Sequence, residues 1–276
     1  IHFANNKGLL TFDGLHWKTH LLPNQTIVRS LAFDQEGRLF VGGQDEIGYF
    51  YPDSLGKFQF TSIKSFLPKD ALHLDDVWDI CHTSQGIFFQ TNQEIYLMED
   101  RNIRSVFKGD QLSFLKLIDH QLWLQDLQTG LWVWDEDSFQ LANYFPLSIS
   151  QKVNGILKLS DQSWLFSTFT EGIYQFNPQK PSDWKPFGKP KVQQFCKENR
   201  INAMIHLPEN QIALASPQGG LLIVNQEGES RYLLNKQNGL QDNNIIFPFL
   251  DNQGNLWLGE NNGIDRVDFG YHSKQI

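Results

Sequence analysis

The residues able to do chemistry are scattered along this chain of 276 amino acids and form no complete catalytic motif. The serine nucleophile pattern Gly-x-Ser-x-Gly is absent, and the eight histidines are spread from His2 to His272. His16 and His20 are four residues apart, but they lie among strand and turn residues and therefore do not share a helix face. Cys81 and Cys196 have no metal-site spacing, and we expect two buried free thiols. No cofactor or metal site is predicted.

Carboxylates offer a second kind of chemistry. Two inward carboxylates, such as Asp45 and Glu171, could cleave a glycosidic bond, but nothing in the spacing favours these two over other pairs. The acidic residues Asp70, Asp75, Asp76 and Asp79 could offer oxygens to Ca²⁺, although they have neither EF-hand spacing nor a glycine at a sharp loop turn. We interpret residues 70–79 as a solvated loop, and cation binding there stays open.

Amide and charged side chains recur after one strand of an internal repeat, where they suit a polar ligand such as a sugar or a peptide. Loops are polar because water surrounds them, so the set carries more weight than any member. The candidates after these strands are Asn5, Asn6, Lys7, Gln44, Asp45, Glu46, Asn92, Gln128, Glu171, Gln218 and Asn261. The candidates on the strands before them are Arg29, Trp78, Lys116, Asn154, Asn202 and Asn244. Trp78 either stacks on a sugar ring or belongs to the core.

The repeat that positions these residues is a short strand with large apolar residues at its first and third positions. It reads Leu39-Phe40-Val41-Gly42-Gly43 in one copy and Leu256-Trp257-Leu258-Gly259-Glu260 in another. Seven copies begin at residues 1, 39, 87, 122, 164, 212 and 256. The alternation is typical of a strand, and the blades of propellers repeat at about 40–50 residues.

A second strand follows each copy, and a glycine that suits a positive φ usually opens it. These glycines are Gly8, Gly48, Gly130, Gly172, Gly220 and Gly263. The third copy has Glu94 instead, so its turn should differ. An apolar run before each copy and a weaker strand after it bring the count to four. We predict an all-β, seven-bladed β-propeller of four-stranded antiparallel blades, as a single domain over residues 1–276. The blade cores are predicted near residues 1–22, 27–63, 76–107, 112–145, 152–187, 201–234 and 244–269.

The first blade is predicted to lack its innermost strand, because the chain opens on the second strand of a blade. We expect that strand upstream of Ile1, or else Tyr271–Ile276 in its place. In a propeller the loops between second and third strands and the loops between blades share one end of the central channel, where the candidate residues would form a ring. The connection Asn177–Asn199, with four prolines and Trp184, is either a partner-docking surface or an irregular crossing.

The last repeat goes further than a generic propeller. It reads Asn238-Gly239-Leu240, then Asp251-Asn252-Gln253-Gly254-Asn255-Leu256-Trp257-Leu258-Gly259, then Asn262-Gly263-Ile264. Together with Phe3–Gly14 and Thr26–Leu31, it resembles the regulator-propeller repeat of two-component sensors from Bacteroidetes-type bacteria. The whole chain looks like the first of two propellers in their periplasmic region. The resemblance is strong at both ends of the chain and weak in the third to fifth repeats.

This resemblance implies a periplasmic, non-catalytic sensor that binds a ligand or a partner. It also implies a parent protein in which a triple-tyrosine, immunoglobulin-like domain, a membrane helix and a histidine kinase or helix-turn-helix output follow. We expect that full-length sensor to be able to dimerise. Two alternatives stay open. One is a propeller-fold polysaccharide lyase or glycosidase, and the other is a structural docking module of a surface or secretion complex.

The charge of the chain narrows the range of partners. A formal net charge of −8 argues against nucleic acid and anionic membrane surfaces. No apolar run reaches about 18 residues, so no transmembrane helix is predicted. This chain is therefore not expected to contact the membrane, although its parent is expected to be anchored there. The expected partner is a small polar ligand, such as a carbohydrate, or an adjacent propeller or other protein.

Overall fold

The chain folds almost entirely into antiparallel strands in seven sheets, which are the seven blades of a β-propeller. The computed structural model describes residues 1–69, 71, 74–143 and 151–268. The chain divides into two compact units, Ile1–Asn143 with blades 1 to 4 and Tyr144–Ile276 with blades 5 to 7. The predicted fold class is confirmed.

The first unit begins with a three-stranded blade and continues with three blades of four strands. Blade 1 contains His2–Asn5 (β1), Gly8–Phe12 (β2) and Trp17–His20 (β3). Blade 2 contains Val28–Phe33 (β4), Leu39–Gly43 (β5), Ile47–Pro52 (β6) and Phe58–Ser62 (β7), and a short 3-10 helix, Lys64–Phe66, follows. Blade 3 contains Asp79–Thr83 (β8), Gly86–Gln90 (β9), Glu94–Glu99 (β10) and Asn102–Lys108 (β11). Blade 4 contains Leu112–Ile118 (β12), Gln121–Asp126 (β13), Gly130–Asp135 (β14) and Ser138–Leu141 (β15).

The second unit contains the other three blades and one helix. Blade 5 contains Val153–Ser160 (β16), Ser163–Thr168 (β17), Gly172–Asn177 (β18) and Lys180–Pro186 (β19). The helix Pro190–Asn199 (α1) leads to blade 6, which contains Ala203–Leu207 (β20), Gln211–Ser216 (β21), Gly220–Asn225 (β22) and Ser230–Leu234 (β23). Blade 7 contains Ile245–Leu250 (β24), Asn255–Glu260 (β25) and Gly263–Asp268 (β26).

The core lies between successive blades, as the two faces of β9 illustrate. Phe88 and Phe89 point to opposite faces of the sheet because successive side chains alternate along a strand. Phe88 belongs to one cluster with Leu124 of blade 4. Phe89 belongs to another with Phe40 of blade 2, and the centroids of these two rings are 6.1 Å apart. Both phenylalanines are fully buried, since each face of the strand is covered by a neighbouring sheet.

The glycines at or next to the start of the third strands are needed for two different reasons. Gly220 has a φ of +84°, and a Cβ on it would lie 2.1 Å from the carbonyl oxygen of Leu234. The expectation of a positive φ is wrong for Gly48, which is not among the residues with positive φ. Glycine is needed at Gly48 because a Cβ there would lie 2.4 Å from both the Phe60 ring and the carbonyl oxygen of Thr61.

The third repeat has a different turn, as its Glu94 predicted. The hydroxyl of Thr91 accepts hydrogen bonds from the backbone N–H groups of Gln93 at 3.4 Å and Glu94 at 3.0 Å. This side-chain turn needs no residue in the left-handed region. In the second repeat the left-handed residue of the turn is Asp45, with a φ of 54°.

Blade 1 has the three strands that the sequence predicts, and β1 lies at the edge of its sheet and next to β4. The residues Tyr271–Ile276, the alternative source of a fourth strand, lie outside the described residues. The long connection is not an irregular crossing, because Asn177–Asn199 contains β19 and α1. Pro190 stands at the start of α1, where its missing N–H costs nothing. Within the part of the chain that is described, no helix is long and apolar enough to span a bilayer.

Candidate ligand-binding site

In the first unit, three predicted residues from two blades meet around one exposed indole. The Arg29 guanidinium carbon lies 4.2 Å from the centroid of the Trp78 ring. The indole Nε1–H donates to the side-chain oxygen of Asn92 at 2.7 Å, and the backbone N–H of Trp78 donates to the Gln90 carbonyl at 2.8 Å. Trp78 is 41% exposed, so the interpretation as a core residue is wrong. We call Arg29, Asp76, Trp78 and Asn92 the Trp78 site.

Asp76 completes the Trp78 site by holding the arginine in place. Its Oδ1 lies 2.5 Å from Nε of Arg29, and Gln44 pairs with Asp76 through an isolated bridge. The cation therefore stacks on the indole while its charge is neutralised from the side. A guanidinium over an aromatic face is worth about 0.5–1 kcal/mol at an exposed position. The indole is thus fixed by a stack and by a hydrogen bond, which leaves little freedom to lose when a ligand binds.

The acidic segment before β8 pairs with basic side chains. Besides the pair of Asp76 and Arg29, Asp79 forms an ion pair with the Lys116 ammonium group. Burial alone would lower the pKa of Lys116, but the charge of Asp79 raises it. Asp70 lies outside the described residues. Among the residues that are described, no group of three or more His, Cys, Asp or Glu side chains is arranged to hold a metal ion.

The neighbouring loop of blade 2 contributes two carboxylates that are already occupied. The Asp45 carboxylate lies 2.6 Å from the Lys64 ammonium group and accepts the backbone N–H of Leu74 at 3.1 Å. Glu46 is buried and accepts the Ser62 hydroxyl at 2.7 Å. Both carboxylates therefore hold the loop together. Gln44 remains exposed beside them.

The remaining predicted residues of the first unit are exposed in their loops. Asn5, Asn6 and Lys7 form the exposed β1–β2 turn, in which the Asn5 side-chain oxygen accepts the Lys7 backbone N–H at 3.0 Å. Gln128 is exposed in the β13–β14 turn, where Asp126 accepts its backbone N–H at 3.0 Å. These side chains are exposed and therefore accessible to a ligand.

In the second unit, two of the three asparagines predicted to face a ligand connect successive blades. The Asn154 amide donates to the Ile201 carbonyl at 2.8 Å, and the Asn202 amide donates to the Ile245 carbonyl at 3.4 Å. Asn244 accepts the backbone N–H of Asn261 at 3.1 Å through its own carbonyl. The contacts of Asn154 and Asn202 join blade 5 to blade 6 and blade 6 to blade 7, whereas the contact of Asn244 stays within blade 7, so part of this amide set stabilises blade packing.

The second unit has three exposed candidates and one pair that sequence reasoning missed. Glu171, Gln218 and Asn261 are exposed in the loops that follow β17, β21 and β25. Between blades 5 and 6, the Arg200 guanidinium carbon lies 4.4 Å from the centroid of the Phe169 ring. Neither residue type signals such a pair in sequence, because the contact joins two different loops.

In blade 7, the buried carboxyl group of Glu260 at the end of β25 holds the loop that precedes β24. Glu260 is 7% exposed, and its Oε2 accepts the backbone N–H of Asp242 at 2.9 Å. Burial, followed by the hydrogen bond and charge of Asp265, raises the pKa of Glu260 to about 8. Asp265 is itself held by the Gln241 backbone and side-chain N–H groups, both at 2.8 Å. These surroundings favour the neutral form of the Glu260 carboxyl group.

Solved structures with the same fold include bacterial extracellular domains. Two structures of an extracellular domain from B. thetaiotaomicron, described as a one-component and as a hybrid two-component system, match with TM-scores of 0.72 and 0.73. Each is 17% identical, and they cover 96% and 98% of this chain. This chain spans 36% of the length of each. The resemblance deduced from the repeats is thus confirmed as a likeness of fold.

An enzyme shares the fold as well. Virginiamycin B lyase from Staphylococcus aureus matches with a TM-score of 0.62 and 13% identity, covering 87% of this chain and 83% of its own. No protein-family model and no curated protein matches the sequence. The fold alone therefore does not decide between binding and catalysis.

Proposed function

We propose that this chain is the ligand-binding propeller in the periplasmic region of a bacterial two-component regulator, and that it binds its ligand without turning it over. The Trp78 site carries this proposal. An exposed indole that is fixed by Arg29 and Asn92 is suited to bind the flat apolar face of a sugar, while nearby amides receive its hydroxyl groups. The ligand class is accordingly a small carbohydrate.

The wider context supports the same proposal. The extracellular domains of two-component systems that share this fold align with nearly all of this chain, and the repeats at both chain ends resemble those of such sensors. We propose that the parent protein is anchored in the membrane, dimerises, and passes ligand binding to a histidine kinase or a DNA-binding output. The acidic surface supports a polar ligand or a protein partner and disfavours nucleic acid.

The carboxylates of the chain support binding more than catalysis. Asp45, one of the two residues considered for glycosidic cleavage, is engaged by Lys64 and Leu74. Glu260 has the raised pKa of a general acid, but it is 7% exposed and faces Asp242 and Asp265. A docking module would instead use the aromatic side chain of β19, Trp184, which is 41% exposed and packs on Tyr174 of β18 at 4.9 Å.

The test compares two tryptophans of equal exposure. Trp78→Ala removes the indole of the Trp78 site, whereas Trp184→Ala removes an indole of the second unit that is also 41% exposed. Thermal shift and calorimetry against a panel of neutral oligosaccharides should reveal one binder of the wild type. We expect at least about a tenfold loss of affinity in Trp78→Ala, the equivalent of one stacking contact, and wild-type affinity in Trp184→Ala.

Three kinds of result would count against the proposal. Equal loss of affinity in both variants, or no loss in Trp78→Ala, would remove the Trp78 site from ligand binding. Release of reducing ends or unsaturated products from the same panel, abolished by Asp45→Asn or Glu171→Gln, would make the chain an enzyme. Retention of a protein partner by the wild type, lost only in Trp184→Ala, would favour the docking module.

A further inference from the structure

Arg200 has a backbone conformation that is costly for any residue except glycine. It follows the last residue of α1 and donates its backbone N–H to the Cys196 carbonyl at 3.0 Å. Its φ of 61° and ψ of 164° lie in a region that is essentially restricted to glycine. Glycine reaches such positive-φ conformations readily because it has no Cβ. The presence of an arginine here calls for a contribution from its side chain.

That side chain is held over an aromatic ring. The guanidinium carbon lies 4.4 Å from the centroid of Phe169, which is 38% exposed in the loop after β17. The Phe169 backbone N–H donates to the Lys152 carbonyl at 2.9 Å, which fixes the loop beneath the ring. Arg200 and Phe169 come from the same two kinds of loop as the predicted ligand residues Glu171 and Asn202.

A comparison with the Trp78 site indicates what Arg200 is available for. Both sites stack a guanidinium on an aromatic ring, at 4.2 Å for Arg29 and 4.4 Å for Arg200. Arg29 is neutralised by Asp76 at 2.5 Å. Within residues 1–69, 71, 74–143 and 151–268, no carboxylate pairs with Arg200, and its side chain is exposed. Its N–H donors are therefore available to an anion from solution.

The elements that carry this pair also carry charged residues. Glu171, in the same loop as Phe169, accepts the Thr170 hydroxyl at 3.3 Å. Lys197 lies beside Gly172 at the start of the next strand. Glu171 is thus engaged within its own loop, and in the described part of the chain it forms no ion pair with Arg200.

We propose that Arg200 and Phe169 form a carboxylate-binding subsite in the second unit, which recognises the acid group of a small ligand. A guanidinium offers two parallel N–H donors that match a carboxylate, and the aromatic ring keeps its plane fixed. The glycine-type backbone at Arg200 lowers the stability of the fold, but it places the two N–H donors of the guanidinium over Phe169. The subsite goes beyond the proposed function, because it lies in the unit that does not contain the Trp78 site and adds a second ligand, a small acid.

The test uses two sugars that differ only in the group at issue. D-glucuronate has a carboxylate where D-glucose has a hydroxymethyl group. NMR titration of the full chain should detect binding of glucuronate and not of glucose. We expect at least a tenfold loss of glucuronate affinity in Arg200→Gln and Arg200→Gly, a smaller loss in Arg200→Lys, and none in Arg231→Gln, an exposed arginine of the same unit. Acetylglycine distinguishes a peptide acid from a sugar acid.

A second measurement separates the role of the side chain from that of the backbone. Because glycine relieves the strained conformation, Arg200→Gly should raise Tm by a few degrees while it abolishes glucuronate binding. Unchanged glucuronate affinity in Arg200→Gln, or no binding by the wild type, would overturn the subsite. Trp78→Ala should keep glucuronate binding, and Arg200→Gln should keep binding of a neutral oligosaccharide. Failure of the subsite is therefore distinguishable from failure of the proposed function.

Discussion

Glu260 is a carboxylic acid whose surroundings favour its neutral form. The Asp242 backbone N–H reaches its Oε2 at 2.9 Å, but Asp265 lies close enough to oppose a second negative charge. Burial and Asp265 together raise the pKa from the ordinary 4.5 to about 8. The proton on Glu260 therefore stabilises the Asn-Gly-Leu loop before β24 against repulsion between the two carboxyl groups.

The pKa of Glu260 predicts a particular dependence of stability on pH. Between pH 4.5 and 8 the folded chain keeps a proton that the unfolded chain has released, so the free energy of unfolding falls as pH rises through this range. His2 acts in the opposite direction, because burial lowers its pKa from 6.5 to about 4 and its effect ends near pH 6.5. Urea unfolding between pH 6.5 and 8 should therefore show the fall, and Glu260→Gln should remove it.

Glu171→Gln is the matched control, since Glu171 is exposed and belongs to the same unit. It should keep the wild-type slope of unfolding free energy against pH. A slope in Glu260→Gln equal to that of the wild type would show that another group titrates in this range.

The sequence allowed the positions of Arg29, Trp78 and Asn92 to be predicted, but not their contact. Each residue was placed by its distance from a repeat, because the repeat register determines which strand and which loop it occupies. The Trp78 site joins blades 2 and 3, and a contact between blades depends on side-chain directions that a repeat does not contain. Arg200 could not be found for a second reason, since its residue type does not indicate a glycine-like backbone.

At the level of elements, a comparison of three glycines separates the cost of a positive φ from the cost of steric crowding. Gly37 has a φ of +80° and open space around it, Gly48 has crowding without a positive φ, and Gly220 has both. Substitution of Gly37 by alanine should cost about 1–2 kcal/mol of unfolding free energy, the ordinary cost of a left-handed residue. Gly220→Ala should cost more than Gly37→Ala in urea denaturation, because Leu234 must also move. Equal losses of unfolding free energy in the two variants would mean that the strand end at Leu234 moves without cost.

The bounds of the repeat strands, such as the middle strands β5 and β21, were predicted to within one or two residues, whereas α1 was not predicted. Both faces of a middle strand are buried between sheets, so its apolar pattern is nearly continuous and easy to recognise. The helix has only Val192 and Cys196 buried, four residues apart, and it follows a segment with several prolines. Two buried positions are too few to produce a helical pattern against those prolines.

At the level of the whole molecule, each compact unit contains one buried cysteine whose reactivity reports local opening of that unit. Cys81 shares a cluster with Leu124 in the first unit, and Cys196 shares a cluster with Leu214 in the second. Both thiols are free and buried, and burial raises the pKa of each to about 12. Thiolates are the reactive species, so a native thiol of this kind reacts only when its surroundings open.

The two thiols should therefore report the loosening of each unit separately. Leu124→Ala and Leu214→Ala each leave a cavity that costs about 2–5 kcal/mol. At pH 8 the wild type should resist alkylation, Leu124→Ala should accelerate labelling of Cys81 more than that of Cys196, and Leu214→Ala should do the reverse. Mass spectrometry of the tryptic peptides measures both rates in one sample. If both variants accelerate the two thiols equally, the clusters open in a single transition, because local opening affects only the thiol in the altered cluster.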